Sequence, residues 1–495
     1  MRTRRSVVVS FATAIVVSLT TAIALAIAGG GQIAAAANPN IILIMVDDMG
    51  YGDPGCYNPQ SKIQTPNIDR LAKEGMRFTD AHAAASVCVP SRYALLTGRY
   101  PFRRKINERS EAVIEAERLT LPKMLKEVGY DTAMVGKWHL GFDDGDGYKR
   151  HKNLQGGPID RGFDSYFGIH SSLDFEPYYY VRDRDAVQLP TGMVGPSSSA
   201  GWTPIQGAFW RGGRCAPDFK HNEVTPQITS EAVNYIDNLA KVNKAKRNTP
   251  FFLYVAFPSP HTPWLPLDKF NGKSGAGMYG DFVMQVDHSI GQILNALDRI
   301  NLTENTLVLF MSDNGPVWYD KDKVKFGHSA TGSLRGMKGD AWEAGHRLPF
   351  IARWPAEIAA GKVSDSLLCY TDVISTCAAI VDYKLPRTAG EDSFNQLPVL
   401  KGAEIEKPVR TTYMWGRRGH KVMRVGNLKL ITQLGSGGFS KSPKNPQKND
   451  GSRGQLYDLR KDLGEQTNLW LEQPELVEKL TKMMNENNAA GRSVH

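Results

Sequence analysis

Residues 41–46 read Ile-Ile-Leu-Ile-Met-Val, a run without one polar side chain and without alternation. A strand of that kind is buried on both faces, the condition found in parallel sheets covered by helices. Residues 132–135, 251–257 and 306–311 read as further buried strands. Between these runs the hydrophobic period changes. Residues 66–74 place Ile68, Leu71 and Ala72 on one helical face before a stop at Gly75, and residues 121–128 form another helix. Val283, Val286, Ile290, Ile293, Leu294 and Leu297 keep the 3.6-residue period closely. Strand and helix alternating in this way predict an α/β fold, a mostly parallel sheet sandwiched by helices.

Near residue 401 the alternation ends. Residues 411–415 and 421–432 read as antiparallel strands, 434–453 as a Gly/Ser/Lys-rich loop and 474–487 as a terminal helix. The expected organisation is a catalytic α/β domain over 38–400 and a smaller α+β subdomain over 401–495, an antiparallel sheet plus a helix. Within the first, residues 142–230 form a loop-rich insertion carrying Tyr178, Tyr179, Tyr180, Trp202 and Trp210. Long irregular insertions in a compact domain are commonly binding loops.

The first 37 residues stand apart. Arg2, Arg4 and Arg5 precede an apolar run, and Ala34 to Ala37 offer a small-residue cleavage site. This is the pattern of a secretory signal peptide, with Thr3-Arg4-Arg5 a loose twin-arginine candidate. A membrane anchor is the rival reading; the Ser, Thr and Gly content favours cleavage, so an exported, periplasmic or secreted protein without a stable membrane span is expected. Cleavage removes three arginines and no acid, lowering the formal charge from +9 to +6. A mildly basic exported protein suits polyanionic substrates. No run of five basic residues occurs, so nucleic acid is not an expected partner. Cys56, Cys88, Cys215, Cys369 and Cys377 do not form a disulfide framework for a chain of 495 residues.

Each buried strand releases polar residues at its carboxyl end: Asp47-Asp48, Lys137-Trp138-His139, His261, and Asp313-Asn314. In open α/β sheets that edge is where ligands bind. Asp47, Asp48, Asp313 and Asn314 offer only oxygen, which favours Ca²⁺ or Mg²⁺, with Ca²⁺ the better fit to an exported protein. Lys338 lies in the glycine-flanked segment Leu334-Arg335-Gly336-Met337-Lys338-Gly339, which can approach a small anion closely. Pro90 suits a first helical turn, placing Cys88 just outside a helix N-terminus and Arg92 one turn further in. A nucleophile beside an anion-binding helix end points to attack on an oxyanion ester. Asp287, His288, His328 and His346 read as structural.

Cys88-Val89-Pro90-Ser91-Arg92, continuing to Thr97-Gly98-Arg99, resembles the signature of type I sulfatases. Gly136-Lys137-Trp138-His139-Leu140-Gly141 resembles their second signature. Asp47 to Asp53, Ser312-Asp313-Asn314-Gly315 and Trp342-Glu343-Ala344-Gly345 are similar to family motifs in the expected order. The likeness is greatest to the arylsulfatase A and N-acetylgalactosamine-6-sulfatase group. It implies an alkaline-phosphatase-like fold and hydrolysis of sulfate monoesters on glycans or aryl sulfates. It implies that a formylglycine-generating or related maturation enzyme converts Cys88 to formylglycine. The implied metal ligands are Asp47, Asp48, Asp313 and Asn314 with modified Cys88. Arg92, Lys137, His139, His261, Lys338 and Asp313 fall on catalytic and sulfate-binding positions, and Ser172 matches a serine that contacts sulfate.

The roles implied are charge neutralisation by Arg92, Lys137 and Lys338, nucleophile activation by Asp313, and proton donation to the leaving alcohol by His261 with Lys338. His139 removes a proton when sulfate is expelled. Two rivals are a phosphomonoester or phosphonate hydrolase of the alkaline phosphatase superfamily and a non-catalytic binder of sulfated glycans. The insertion and Arg417, Arg418 and His420 are the expected source of pocket specificity.

Overall fold

The computed structural model describes residues 38–106, 111–143, 150–241, 249–403, 411–441 and 451–494. The signal peptide expected over residues 1–37 lies outside the described residues. Four strands carry the functional edge: β1 (Asn40–Asp47), β2 (Asp131–Lys137), β3 (Phe251–Pro260) and β4 (Thr306–Ser312). Every residue of β1, β3 and β4 is buried, as the apolar runs at their centres require. They pair in parallel in the order β4-β1-β3-β2, and Ser165–Ile169 adds a fifth parallel strand beside β2. Short strands complete a ten-stranded sheet: Phe350–Arg353 runs antiparallel to β4, Val181–Arg182 antiparallel to Ser165–Ile169, and Lys362–Ser364 parallel to Met76–Phe78. The sheet is thus mostly parallel at its centre and mixed at its edges.

Helices Pro66–Glu74, Val224–Leu239 and Gly277–Arg299 bury their apolar faces on this sheet. Helix Val224–Leu239 spans residue 230, the expected end of the insertion. Asp287 accepts from Asn67 N at 3.0 Å and Ile68 N at 2.8 Å, satisfying amides at the start of Pro66–Glu74. His328 Nε2 bonds Asp53 Oδ1 at 2.9 Å. Both are structural partners.

The C-terminal sheet is antiparallel and holds four strands, Thr411–Trp415, Lys421–Val425, Leu428–Ile431 and Gln455–Asp458. Leu480 and Met484 of helix Pro474–Ala490 pack with Tyr413, Met423, Leu430 and Leu456. Trp415 ties this sheet to the segment leading into helix Cys88–Thr97, accepting from Ser86 N at 3.0 Å and donating to Ala84 O at 3.1 Å. A buried ion-pair network lies at the same junction: Arg424 Nη2 meets Asp80 Oδ2 at 3.0 Å, and Lys429 Nζ meets Glu343 Oε1 at 2.9 Å and Glu465 Oε1 at 2.8 Å. None of the five cysteines is joined in a disulfide among the described residues. Among the described residues no helix is long and apolar enough to cross a membrane.

Candidate active site

Strand register brings the polar residues together. Val46 pairs with Ser312, Asp47 with Pro260, Ala256 with Gly136, and Lys137 with Ile169. The strands therefore end in near alignment, and Asp47-Asp48, Asp313-Asn314, His261, His139 and Ser172 leave the sheet at one rim. Two of these residues, Asp48 (φ +65°) and His139 (φ +54°), hold left-handed backbone that side chains other than glycine seldom adopt. Gly136 lets β2 lie against β3 here: its φ is +120°, and a Cβ would stand 2.0 Å from Ala256 O.

Helix Cys88–Thr97 begins at Cys88 itself, so the cysteine occupies the first helical position instead of lying just outside. The shift of one residue follows from Val87, whose extended backbone makes it the cap. Arg92, one turn on, is 1% exposed. It donates to Asp313 Oδ2 from Nε at 3.1 Å and Nη2 at 2.8 Å, and Nη2 also reaches Asp47 Oδ2 at 3.2 Å. Lys137 Nζ donates to Asp47 Oδ2 and, at 3.2 Å, to Ser172 Oγ. Lys338 Nζ donates to Asp48 Oδ1 at 2.6 Å, and His261 Nε2 lies 3.7 Å from Asp48 Oδ2. Three buried carboxylates thus face three buried cations.

The fields are strong because water is excluded. Burial opposes ionisation of Asp47, yet Lys137, His261, Arg92 and Lys338 hold it well below the usual carboxylate range. Burial, with Asp47 alongside, pushes Asp313 up to about 6. Burial, reinforced by Lys137 and Arg92, keeps His139 well below its ordinary value, hence neutral. Burial also lifts the Cys88 thiol to about 11, which makes it a poor nucleophile as it stands.

Two buried oxygens are left over. Asp47 Oδ1 and Asn314 Oδ1 have no hydrogen-bond partner among the described residues, although Asn314 Nδ2 donates to Asp48 Oδ1 at 2.5 Å. Buried acceptors are almost always paired, so two orphans in one carboxylate cluster suit a cation held there. One ligand atom from each of Asp47, Asp48 and His261 lies within 4.8 Å of the others. The donor set is hard and oxygen-rich, and it fits Ca²⁺ or Mg²⁺. A second cluster, His82, Glu343 and His346, has similar spacing, but Lys429 Nζ stands 2.9 Å from Glu343 Oε1 and 3.3 Å from His346 Nε2. The protein's own ammonium takes the place of an ion there.

Over the rim opens a cavity of about 480 Å³ lined by Asp48, Cys88, His139, Ser172, His261 and Lys338. Its outer wall comes from the insertion and the C-terminal sheet.

The sulfatase family pattern matches residues 39–383. The chain belongs to the sulfatase family. It is 34% identical to an N-acetylgalactosamine-6-O-sulfatase of Bacteroides thetaiotaomicron over 484 residues, covering 90% of this chain and 92% of that protein. Human arylsulfatase A is 32% identical over 461 residues, covering 90% and 85%. A solved chain from the metabolism of multiple glycosaminoglycans by B. thetaiotaomicron superposes with a TM-score of 0.79 at 32% identity, covering 92% of this chain and 100% of that one. A protein solved in complex with k-i-k-neocarrahexaose gives 0.70 at 26% identity, covering 92% and 94%. The chain is a sulfatase enzyme, and its fold is that of these neighbours.

The outer wall of the sulfatase cavity holds residues that sequence reasoning passed over: Asp174, Phe175, Ile205 and Arg211 from the insertion, and Trp415 and Phe439 from the C-terminal part. All but Trp415, which ends strand Thr411–Trp415, sit in irregular segments whose pattern gives no periodic signal. Of the three C-terminal residues expected there, Arg417 lines the cavity. Arg418 is exposed and outside the lining. His420 is buried, its Nε2 bonding Leu434 O at 3.0 Å, because it serves the loop that follows the strand.

Proposed function

We propose that this sulfatase removes sulfate from sulfated glycans, using formylglycine made from Cys88 by a maturation enzyme and Ca²⁺ held by Asp47, Asp48, Asp313, Asn314 and modified residue 88. Export to the periplasm or beyond accompanies this reading, since such glycans are met outside the cytoplasm. The observation that carries it is the pair of orphaned oxygens on Asp47 and Asn314, buried among carboxylates next to the helix that begins at Cys88. Relatives that act on sulfated sugars support the substrate class.

When bound, Ca²⁺ supplies Lewis-acid polarisation of a sulfate oxygen, and formylglycine supplies as its hydrate the hydroxyl nucleophile that the Cys88 thiol lacks. Every other part belongs to the chain. Arg92, Lys137 and Lys338 place positive charge where sulfate oxygens develop negative charge, and their value rises as water leaves the cavity. Ser172, bonded to Lys137, adds a hydroxyl contact. Asp313, with its proton affinity raised by burial, accepts the proton of the attacking hydroxyl. His261 Nδ1 donates to Thr262 O at 2.6 Å, which fixes the tautomer and turns Nε2 toward the cavity. In its doubly protonated form the ring also holds a proton at Nε2, which, with Lys338 close by, passes to the departing alcohol oxygen and leaves the neutral Nδ1–H tautomer. His139, kept neutral, has a buried Nδ1 without a partner among the described residues and serves as the second base.

The test pairs a screen of defined sulfated mono- and oligosaccharides with mass spectrometry of the peptide containing residue 88. Aryl sulfate and aryl phosphate are compared under the same conditions. Sulfate release by protein whose residue 88 is about 18 Da lighter than cysteine is the expected result. Full activity with an intact thiol contradicts the mechanism, and preference for the phosphate contradicts the reaction.

A further inference from the structure

Asp174 and Arg211 form a pair on the cavity wall that the reaction above does not use. Asp174 is 5% exposed, lines the cavity and lies two residues beyond Ser172, in a turn closed by Phe175 N donating to Ser172 O at 3.0 Å. Arg211 Nη1 donates to Asp174 Oδ2 at 2.6 Å and to Asp174 O at 3.1 Å. The guanidinium lies 4.0 Å from the centroid of Phe175 and 5.2 Å from that of Phe209. Tyr178 Oη anchors the backbone by donating to Arg211 O at 2.7 Å. The fork is therefore held in place before any ligand arrives.

Two things are left unspent. Among the described residues Asp174 Oδ1 has no hydrogen-bond partner, and Arg211 makes its hydrogen bonds through Nη1, leaving Nε and Nη2 over. Arg211 is also 44% exposed at its side chain, so its free edge faces the cavity. As a unit the pair is neutral, with a donor edge beside an acceptor oxygen. That arrangement does not suit a second anion. It suits neighbouring hydroxyls on a pyranose, one accepting from a guanidinium N–H and one donating to the carboxylate. A phenolic leaving group offers no such partner and leaves the carboxylate oxygen unpaired.

We propose that Asp174 and Arg211 are specificity residues that read adjacent hydroxyls of the sulfated ring, which makes a sugar rather than a phenol the preferred leaving group. This rests on the sulfate-ester reading of the same site. Asp174 and Arg211 position the ring so that its sulfate meets Arg92, Lys137 and Lys338, and they take no part in proton transfer.

The experiment compares mature wild type with Asp174→Ala and Arg211→Ala on a sulfated hexose and on 4-nitrophenyl sulfate, with inhibition by inorganic sulfate as a third measurement. Each variant is expected to lose about 10- to 100-fold in kcat/KM on the sugar beyond any loss on the aryl ester, the range for hydrogen bonds to charged groups. Inhibition by inorganic sulfate, which has no ring, shifts far less than sugar turnover. Equal losses on both esters, or matching losses in sugar turnover and sulfate inhibition, overturn the proposal and make the pair a structural brace. If the wild type cleaves the sugar alone, the comparison with inorganic sulfate decides. Should the wild type cleave no sulfate ester, the underlying reading fails, a different result from active wild type with unselective variants.

Discussion

Replacing Arg92 with alanine separates the two kinds of positive charge that the buried carboxylates need. Arg92 is 1% exposed and donates twice to Asp313 Oδ2 and once to Asp47 Oδ2. Removing one partner of a buried pair typically costs about 3–5 kcal/mol, because a charge is left behind without compensation. That is a large part of the roughly 5–15 kcal/mol that holds an ordinary protein folded. A divalent cation at the same carboxylates replaces part of the missing charge. An ion present at 100 times its dissociation constant stabilises the native state by about 2.7 kcal/mol. Arg92→Ala also removes a cation that competes for Asp47 and Asp313, so the variant gains more from Ca²⁺ than wild type does. Differential scanning calorimetry in chelator and in excess Ca²⁺ reads both quantities. The expected outcome is a much lower melting temperature in chelator and a larger upward shift on adding Ca²⁺. Wild-type stability in chelator, or a Ca²⁺ shift no larger than that of wild type, refutes the reasoning.

Cys88→Ala is expected to fold, to bind inorganic sulfate and to release none from any ester, as sulfate-protected melting alongside turnover will show. Gly136→Ala forces a Cβ to within 2.0 Å of Ala256 O at a φ of +120°; it is expected to lower soluble yield and melting temperature, and a wild-type melting curve contradicts the close β2–β3 approach. Burial lifts Glu465 from 4.5 to about 7, so the folded protein binds this proton more tightly than the unfolded chain does. Its contribution is full below 4.5 and is lost as pH rises through about 7. Glu465→Gln is therefore expected to flatten melting temperature against pH across that window, and an unchanged slope rules out the residue as its source.

The central strands were readable because burial on both faces keeps their interiors apolar; Asn40–Asp47 and Thr306–Ser312 differ from expectation only at their ends. The flanking strands Met76–Phe78 and Phe350–Arg353 are too short to carry a period, so the antiparallel edge could not be foreseen. Gln455–Asp458 was likewise hidden behind a polar loop. At the site, strand ends told which residues gather, since the register of a parallel sheet aligns them. The left-handed turns at Asp48 and His139 are tertiary effects with no local signal. Asp174 and Arg211 were beyond reach for a different reason. They are 37 positions apart in an irregular insertion, and only the fold pairs them.

Anomalous X-ray diffraction from crystals of the mature enzyme grown in Ca²⁺ tests the account most directly. It predicts one strong calcium peak enclosed by oxygens of Asp47, Asp48, Asp313 and Asn314, next to an oxygen-bearing residue 88. No peak there, or a peak elsewhere with those carboxylates still held by Arg92, Lys137 and Lys338, contradicts it.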